Sequence, residues 1–149
     1  MGSARDTAAL ICDTGALVDY LVRSAPDHPR FREAIDRART RYVPGLVLAE
    51  LDYFLREERA AMQAFMDDLA RGAFTYAPPA PGHLVRAMAI DRSYPDLGLG
   101  LVDGSIVALA DDLGIRRIAT RDVRHFSAVR LRNGHPFELV VRPTRPDRS

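Results

Sequence analysis

The sequence predicts an α/β fold built around a parallel sheet. Two observations lead to this prediction: short apolar runs of strand length alternate with longer segments of helical spacing, and glycine, proline or acidic residues separate them. The first run, residues 8–12, leads through Asp13 into a helical segment that begins at Thr14. Parallel α/β sheets bind their ligands outside the carboxyl ends of the strands, so we expect a functional site at that edge.

Strands are predicted where apolar and β-branched residues end at a turn signal. The second strand ends at Pro44-Gly45, the third precedes Pro78-Pro79, and the fourth leads into Asp122. The predicted strands cover residues 8–12, 42–43, 74–76, 116–120 and 137–141.

Helices are predicted where apolar residues recur every three or four positions. Asp13 or Thr14 is placed to cap the first helix, and Gly114 stands where the last one ends. In the segment 59–71, apolar residues recur at i, i+3, i+4 and i+7 from Met62. The predicted helices cover residues 14–21, 29–39, 46–56, 59–71, 82–93 and 102–113.

The composition is that of one globular domain. A chain of 149 residues with 47% hydrophobic content suits a single domain, which we expect over residues 1–141, with a disordered, proline-rich tail over 142–149. Cys12 is the one cysteine, which excludes an internal disulfide framework, and its place in a strand predicts a buried thiol. Neither a signal peptide nor a stretch of about 20 apolar residues is present, so we expect a soluble, cytoplasmic protein with no membrane contact.

The charge pattern excludes some chemistries. The net charge of +1 is not that of a strongly basic nucleic-acid binder. All 21 basic residues are arginine, which suits phosphate contacts, although a coding bias explains this choice equally well. The absence of lysine excludes P-loop and Schiff-base enzymes.

Four acidic residues stand beside apolar sequence where strands end or helices begin. Two carboxylates about 5 Å apart repel by roughly 3 kcal/mol at an effective dielectric constant near 20, and burial adds to that cost. A hard divalent metal ion is the natural compensation. If the strand ends meet at one edge of the sheet, all four carboxylates converge there. The four residues are Asp13, Glu50, Asp103 and Asp122.

Each acid also has a structural explanation. Helix capping or a turn accounts for Asp13, Asp103 and Asp122 taken singly. Glu50 differs because its helical neighbours three and four positions away are apolar, which places it on an apolar face. For Glu50 the alternative to a metal or catalytic role is a buried ion pair with an arginine.

Side chains that flank the acids are candidate orienting or substrate-binding groups. The hydroxyls of Thr14 and Thr120 are placed to orient carboxylates, with capping and strand propensity as the alternatives. Arg121 or Arg124 is placed to hold a phosphate, with an ordinary surface position as the alternative, and His125 is a candidate substrate contact.

Other polar residues have weaker claims. We expect Asp52 to be a surface or capping residue, and Asp96 to be either a loop turn or an auxiliary acid near Asp103. The acidic pairs 67–68 and 111–112 are expected on solvated helix faces. The histidines lack the spacing of a zinc site.

Four sequence blocks contain the four acids in a fixed order. The first matches an apolar-x-D-[ST]-[SG] pattern, the second and third place an acid on a helix, and the fourth reads T-x-D-x-x-x-F. The blocks cover residues 11–17, 47–51, 101–110 and 118–126. Together they resemble the PIN-domain nucleases, and among these the VapC-type toxins of bacterial toxin–antitoxin pairs. Gly15 replaces the common serine, and Gly104 replaces the usual alanine after the third acid.

The resemblance implies a three-layer α/β/α sandwich around a central, mostly parallel twisted sheet. It further implies an endoribonuclease whose four acids bind Mg²⁺ or Mn²⁺. Asp13 and Asp103 are the strongest candidates for direct ligands, Glu50 binds the ion or orients its water, and Asp122 completes a second position. The implied partners are RNA, a cognate antitoxin covering the site and a helix-lined groove, and a second copy of the chain.

Alternatives to this reading remain. An apolar stripe is predicted either to line the antitoxin groove or to pack in the core, and it consists of Tyr53, Phe54, Met62, Phe65 and Met66. A PIN-fold RNA-processing nuclease that is not a toxin, or an inactive RNA- or partner-binding module, would share the same sequence blocks. A receiver domain and a haloacid-dehalogenase-type phosphatase are excluded, since the chain has no lysine and carries Gly15 where the phosphatase needs a second aspartate.

Overall fold

Five short parallel strands form the central sheet. The computed structural model describes residues 9–144, and within them the strand order is β3-β2-β1-β4-β5, with every neighbouring pair parallel. The chain builds one side of the sheet outward from β1 and then returns to its other side, so the switch point lies between β1 and β4. The strands are β1 (Ala9–Cys12), β2 (Thr40–Pro44), β3 (Thr75–Ala77), β4 (Arg117–Ala119) and β5 (Glu138–Leu139).

Helices flank this sheet and complete the predicted three-layer sandwich. The predicted parallel α/β fold is confirmed, and the described sheet is parallel throughout. The helices are α1 (Thr14–Leu21), α2 (His28–Arg37), α3 (Val47–Phe54), α4 (Arg59–Ala70), α5 (Pro81–Ser93), α6 (Gly100–Leu113) and α7 (Val123–Ala128). Helix α7 has no counterpart in the sequence-based prediction, because six residues are too few to establish a helical period.

The core lies on both faces of β1. All four residues of β1 are buried, which is typical of a parallel strand covered by helices on each side, and Cys12 is buried as predicted. The apolar stripe predicted on α3 and α4 divides into two parts. Met62 and Phe65 pack inside the core, whereas Tyr53 and Phe54 lie on the surface. Of the two predicted alternatives, core packing is confirmed for Met62 and Phe65, and Met66 is partly buried against the same core.

Helices α5 and α6 cross at very short range. A Cβ atom added to Gly104 would lie 2.5 Å from the carbonyl oxygen of Ala87, which is itself fully buried. Gly104 therefore allows the two backbones to touch, and this explains the departure from alanine at that position. The same packing brings Arg86 onto Asp111, whose side chain is only 2% exposed, so the expected solvated position of Asp111 is wrong.

The surface positions of the other acids follow the prediction more closely. Asp112 is half exposed and pairs with His83 and Arg132, and Asp52 forms an exposed ion pair with Arg59 at 2.8 Å.

Between residues 9 and 144, the structure contains no helix long and apolar enough to cross a membrane.

The C-terminal end of the described chain lies against α2. The carbonyl oxygen of Arg142 accepts a hydrogen bond from Arg30, and the backbone N–H of Thr144 donates to Asp27 at 3.1 Å. Of the tail predicted to be disordered, residues 145–149 lie outside the described part of the chain, as does residue 8 of the first predicted strand.

Candidate active site

The adjacent strands β1 and β4 place Asp13 and Thr120 side by side. Asp13 follows β1 directly, and its backbone N–H donates to the carbonyl oxygen of Ala119 at 2.9 Å. One carboxylate oxygen accepts from the backbone N–H of Thr14 at 2.7 Å, and the other accepts from the hydroxyl of Thr120 at 2.7 Å. Asp13 thus caps helix α1, as its structural explanation predicted, and it also faces the carboxyl edge of the sheet.

Glu50 joins this group from helix α3. The hydroxyl of Thr14 donates to its Oε1 atom at 2.6 Å, while Glu50 itself is half-buried. Because α3 follows β2, the neighbour of β1, its first turns lie beside the start of α1. The two threonines predicted to orient carboxylates therefore each donate to one, Thr14 to Glu50 and Thr120 to Asp13.

Asp103, Asp122 and His125 form the other half of the site. Asp103 lies in the first turn of α6, and Asp122 caps α7 by accepting from the backbone N–H of His125 at 3.0 Å. The Nδ1 atom of His125 lies 2.6 Å from Asp103 and 2.8 Å from Asp122, while its Nε2 atom lies 2.9 Å from the carbonyl oxygen of Leu97. The three side chains offer ligand atoms that are all within 4.8 Å of one another.

The sequence singled out His125 only as a substrate contact. Its place among the acids depends on helix α7, which was not predicted, since the helix puts position 125 one turn beyond Asp122 and on the same side. The spacing of three positions between Asp122 and His125 is the sequence signal that could have placed His125 beside the acids.

Burial and mutual repulsion raise the pKa values of two carboxyl groups in the site. Burial, with a further contribution from the charge of Asp103, raises the pKa of Asp13 to about 7. Burial also raises the pKa of Asp103 to about 6, although the hydrogen bond from His125 opposes the shift. Burial lowers the pKa of His125, but its contacts with Asp103 and Asp122 outweigh this effect and raise it. The raised pKa values indicate that the described groups around these two carboxylates offset only part of the cost of burying their charge.

All four predicted acids line one cavity of about 570 Å³ at the carboxyl edge of the sheet. Its lining also includes apolar side chains from α3 and from the start of α6, among them Phe54, Leu99 and Leu101. Asp96 does not line this cavity, and only its backbone carbonyl makes a described contact, accepting from Arg124 at 3.0 Å. Arg124 thus ties the loop before α6 onto α7.

Arg121 bridges separate parts of the chain at the wall of the same cavity. Its Nη1 atom lies 2.6 Å from Asp19 and 2.9 Å from Asp27, and both carboxylates are buried. Its aliphatic stem passes over Gly15, where an added Cβ would lie 3.1 Å from two of its carbons. The small residue that departs from the common serine therefore leaves room for this arginine. Its predicted phosphate contact stays a prediction.

The donor set suits a hard divalent cation. Four carboxylates converge on one cavity, their oxygens are the ligands that Mg²⁺ and Mn²⁺ prefer, and two of them have raised pKa values that a cation would lower. The Nδ1 atom of His125 faces the same acids, and its Nε2 atom is directed at a backbone carbonyl, as is common for metal-bound histidines. Asp13, Glu50, Asp103, Asp122 and His125 are the residues able to hold such an ion.

A doubly wound parallel sheet with an acidic centre at its switch point defines the class of protein. The model of the PIN domain family matches residues 10–131, and the chain belongs to that family. A Mycobacterium tuberculosis protein named Ribonuclease VapC26 is 37% identical over 134 residues, which are 88% of this chain and 99% of that protein.

Solved structures share the fold at low sequence identity. Mycobacterium tuberculosis VapC20, described as a Sarcin-Ricin loop cleaving toxin, matches with a TM-score of 0.66 and 16% identity over 73% of this chain and 86% of that one. A toxin–antitoxin complex from Klebsiella pneumoniae matches with a TM-score of 0.65 and 18% identity over 80% of this chain and 92% of that one. The structure of VapBC2 from Rickettsia felis, bound to a DNA fragment from its promoter, matches with a TM-score of 0.63 and 15% identity over 88% of this chain and 98% of that one.

Proposed function

We propose that this chain is an endoribonuclease of the VapC type that cleaves RNA phosphodiesters with Mg²⁺ or Mn²⁺ at the acidic centre. The observation that carries the proposal is the convergence of Asp13, Glu50, Asp103 and Asp122 on one cavity at the switch point of the sheet. The relative at 37% identity is named a ribonuclease, which supports RNA as the substrate.

The chain's own residues hold and orient the reacting groups. A bound divalent ion supplies a more acidic water and neutralises charge on the phosphate. Asp13 is fixed by two donors, Thr120 and the backbone of Thr14, so its carboxylate is already oriented in the folded protein. The Thr14 hydroxyl holds Glu50 beside it, and His125 holds Asp103 and Asp122 together. The side chains therefore need little rearrangement before substrate binds.

We further propose that the chain is the toxin of a toxin–antitoxin pair and acts in the cytoplasm by cutting RNA needed for translation. Structures with the same fold include toxin–antitoxin complexes. The partner is then a cognate antitoxin that covers the mouth of the cavity, with the toxin present as a homodimer or within a hetero-oligomer. Copurification with the product of an adjacent small reading frame, and relief of growth arrest by that product, test this assignment. If no neighbouring protein binds, the chain is a PIN-fold nuclease of another kind.

RNA cleavage by the full chain tests the nuclease proposal directly. We expect cleavage in Mg²⁺ and in Mn²⁺, none in EDTA, and a loss of activity of about 100-fold or more for Asp13→Asn and for Glu50→Gln. Asp52→Asn is the matched control, because Asp52 lies on the same helix as Glu50 but makes an exposed ion pair. Either metal should also raise the melting temperature of the wild type more than that of Asp13→Asn.

Cleavage that survives EDTA, or full activity in both site variants, would contradict the proposal. An intact fold that binds RNA or a partner without cleaving it would identify the chain as an inactive binding module.

A further inference from the structure

Helix α3 presents an aromatic ring at the rim of the acidic cavity. Phe54 is 57% exposed and lines the same cavity as Glu50, which precedes it by one helical turn on the same face. A phenylalanine left in water forgoes the burial energy that its ring would otherwise contribute. Burial in the core therefore does not account for the position of the ring.

Apolar side chains continue this surface around the cavity. Leu101 is 41% exposed, and it lines the cavity together with Leu99 and Val102 at the start of α6. A divalent ion and a phosphate need none of these groups. A nucleotide needs both kinds of surface, because a charged phosphate is joined to a base whose flat faces are apolar.

We propose that Phe54 is a stacking platform for an unpaired nucleobase next to the phosphodiester held at the acidic centre. The inference rests on the proposed ribonuclease function and adds the site of base binding. Proteins that recognise single-stranded RNA stack unpaired bases on aromatic side chains, and stacking tolerates any base because each has a π-face. The platform therefore selects an unpaired nucleotide at the cleavage position and excludes that nucleotide within a continuous duplex.

The neighbouring Tyr53 provides an internal contrast. It is 60% exposed on the same helix but does not line the cavity. The rings of Tyr53 and Phe54 meet edge to face, with their centroids 5.6 Å apart and their planes at 74°. The guanidinium of Arg56 lies over the Tyr53 ring, 4.2 Å from its centroid. Tyr53 matches Phe54 in exposure and aromatic character, and differs from it in position.

The test uses the full chain and a short single-stranded RNA that the wild type cleaves at one mapped position. A second RNA carries abasic nucleotides on either side of that position. We expect Phe54→Ala and Phe54→Leu to lower kcat/KM on the intact RNA by on the order of 10- to 100-fold, mainly through KM. The kcat/KM values of Phe54→Trp and Tyr53→Ala should stay within about threefold of the wild-type value, because both variants keep an aromatic ring at position 54. On the abasic RNA, kcat/KM of the wild type should be lower than on the intact RNA by a similar factor, and Phe54→Ala should lower it no further.

Several results would overturn the inference. Full activity of Phe54→Leu would show that an apolar side chain suffices without stacking. If Phe54→Ala lowers kcat/KM by the same factor on the intact and on the abasic RNA, the base is not the ligand. Unchanged cleavage by Phe54→Ala with lost binding of a partner protein would assign the ring to that partner. If the wild type fails to cleave RNA in Mg²⁺, the ribonuclease proposal fails by itself. RNA binding measured by fluorescence anisotropy then decides the inference, which is overturned if Phe54→Ala binds as tightly as the wild type.

Discussion

Substituting alanine for Gly104 tests the close crossing of α5 and α6. The new Cβ would lie 2.5 Å from the carbonyl oxygen of Ala87 and 3.0 Å from its C and Cα atoms. These are backbone atoms of a packed helix, so no side-chain rotation relieves the contact, and the helices must separate. Overpacking of this kind costs about 1–3 kcal/mol, whereas alanine recovers up to about 1 kcal/mol of helix propensity. Because the contact is with backbone atoms, the cost falls at the upper end of that range, about 2–3 kcal/mol, and after the gain in helix propensity we expect a net loss of about 1–2 kcal/mol in the free energy of unfolding.

Equilibrium unfolding in urea measures this difference, and a thermal melt should show a decrease of about 2–8 °C. Gly82→Ala is the matched control, because Gly82 also lies in a helix but an added Cβ there meets nothing within 4 Å. It should leave the stability unchanged or raise it by up to about 1 kcal/mol. If Gly104→Ala is as stable as the wild type, the two helices do not cross as closely as the structure describes.

Three further substitutions address the hydrogen bonds and ion pairs around the site. Thr120→Val removes the donor to Asp13 and should lower metal affinity by about 10–100-fold, measured by calorimetric titration, while Thr120→Ser retains it. Arg121→Met leaves two buried carboxylates without this partner and should cost about 3–5 kcal/mol in urea unfolding, whereas the exposed Arg124→Met should change stability little. Burial raises the pKa of Asp27, but hydrogen bonds from Arg121 and Thr144 outweigh burial and lower it. The ionised carboxylate therefore stabilises the fold above about pH 4, and this contribution is lost as the pH falls through the lowered pKa. Asp27→Asn should therefore be less stable than the wild type at pH 7, and the difference should shrink in acid; a gap that grows in acid would contradict the assignment.

The sequence was sufficient for most of the fold because the elements that matter are long or strongly patterned. The buried run before Asp13 and the helix ending at Gly114 both have the expected position, since β1 is buried on two faces and Gly114 adopts the left-handed conformation of a helix cap. Strand ends were less predictable: the fourth predicted strand, 116–120, shortens to Arg117–Ala119. Strand length in a parallel sheet depends on the partner strands, which local sequence does not specify.

The features that sequence could not reveal depend on contacts between distant elements. His125 joins the acids through a short helix whose position is set by the strand before it and by the Asp122 cap. Asp111 looks like a solvated residue until α5 covers it with Arg86. The outward position of Phe54 likewise depends on how α3 rotates against the sheet, because its sequence neighbours are as apolar as those of a core residue.

The pairing of β1 with β4 has a consequence for synthesis of the protein. The hydrogen bond between Thr120 and Asp13 joins positions 107 residues apart, and Asp103 and Asp122 also come late in the chain. Since translation proceeds from the N-terminus, an unfinished chain contains Asp13 and Glu50 but lacks the strand that completes the centre. Such a chain can form only the half-sheet of β1, β2 and β3, so the proposed activity appears only after β4 has left the ribosome. A ribosome that makes this enzyme is therefore not exposed to its activity until β4 and Asp122 have emerged.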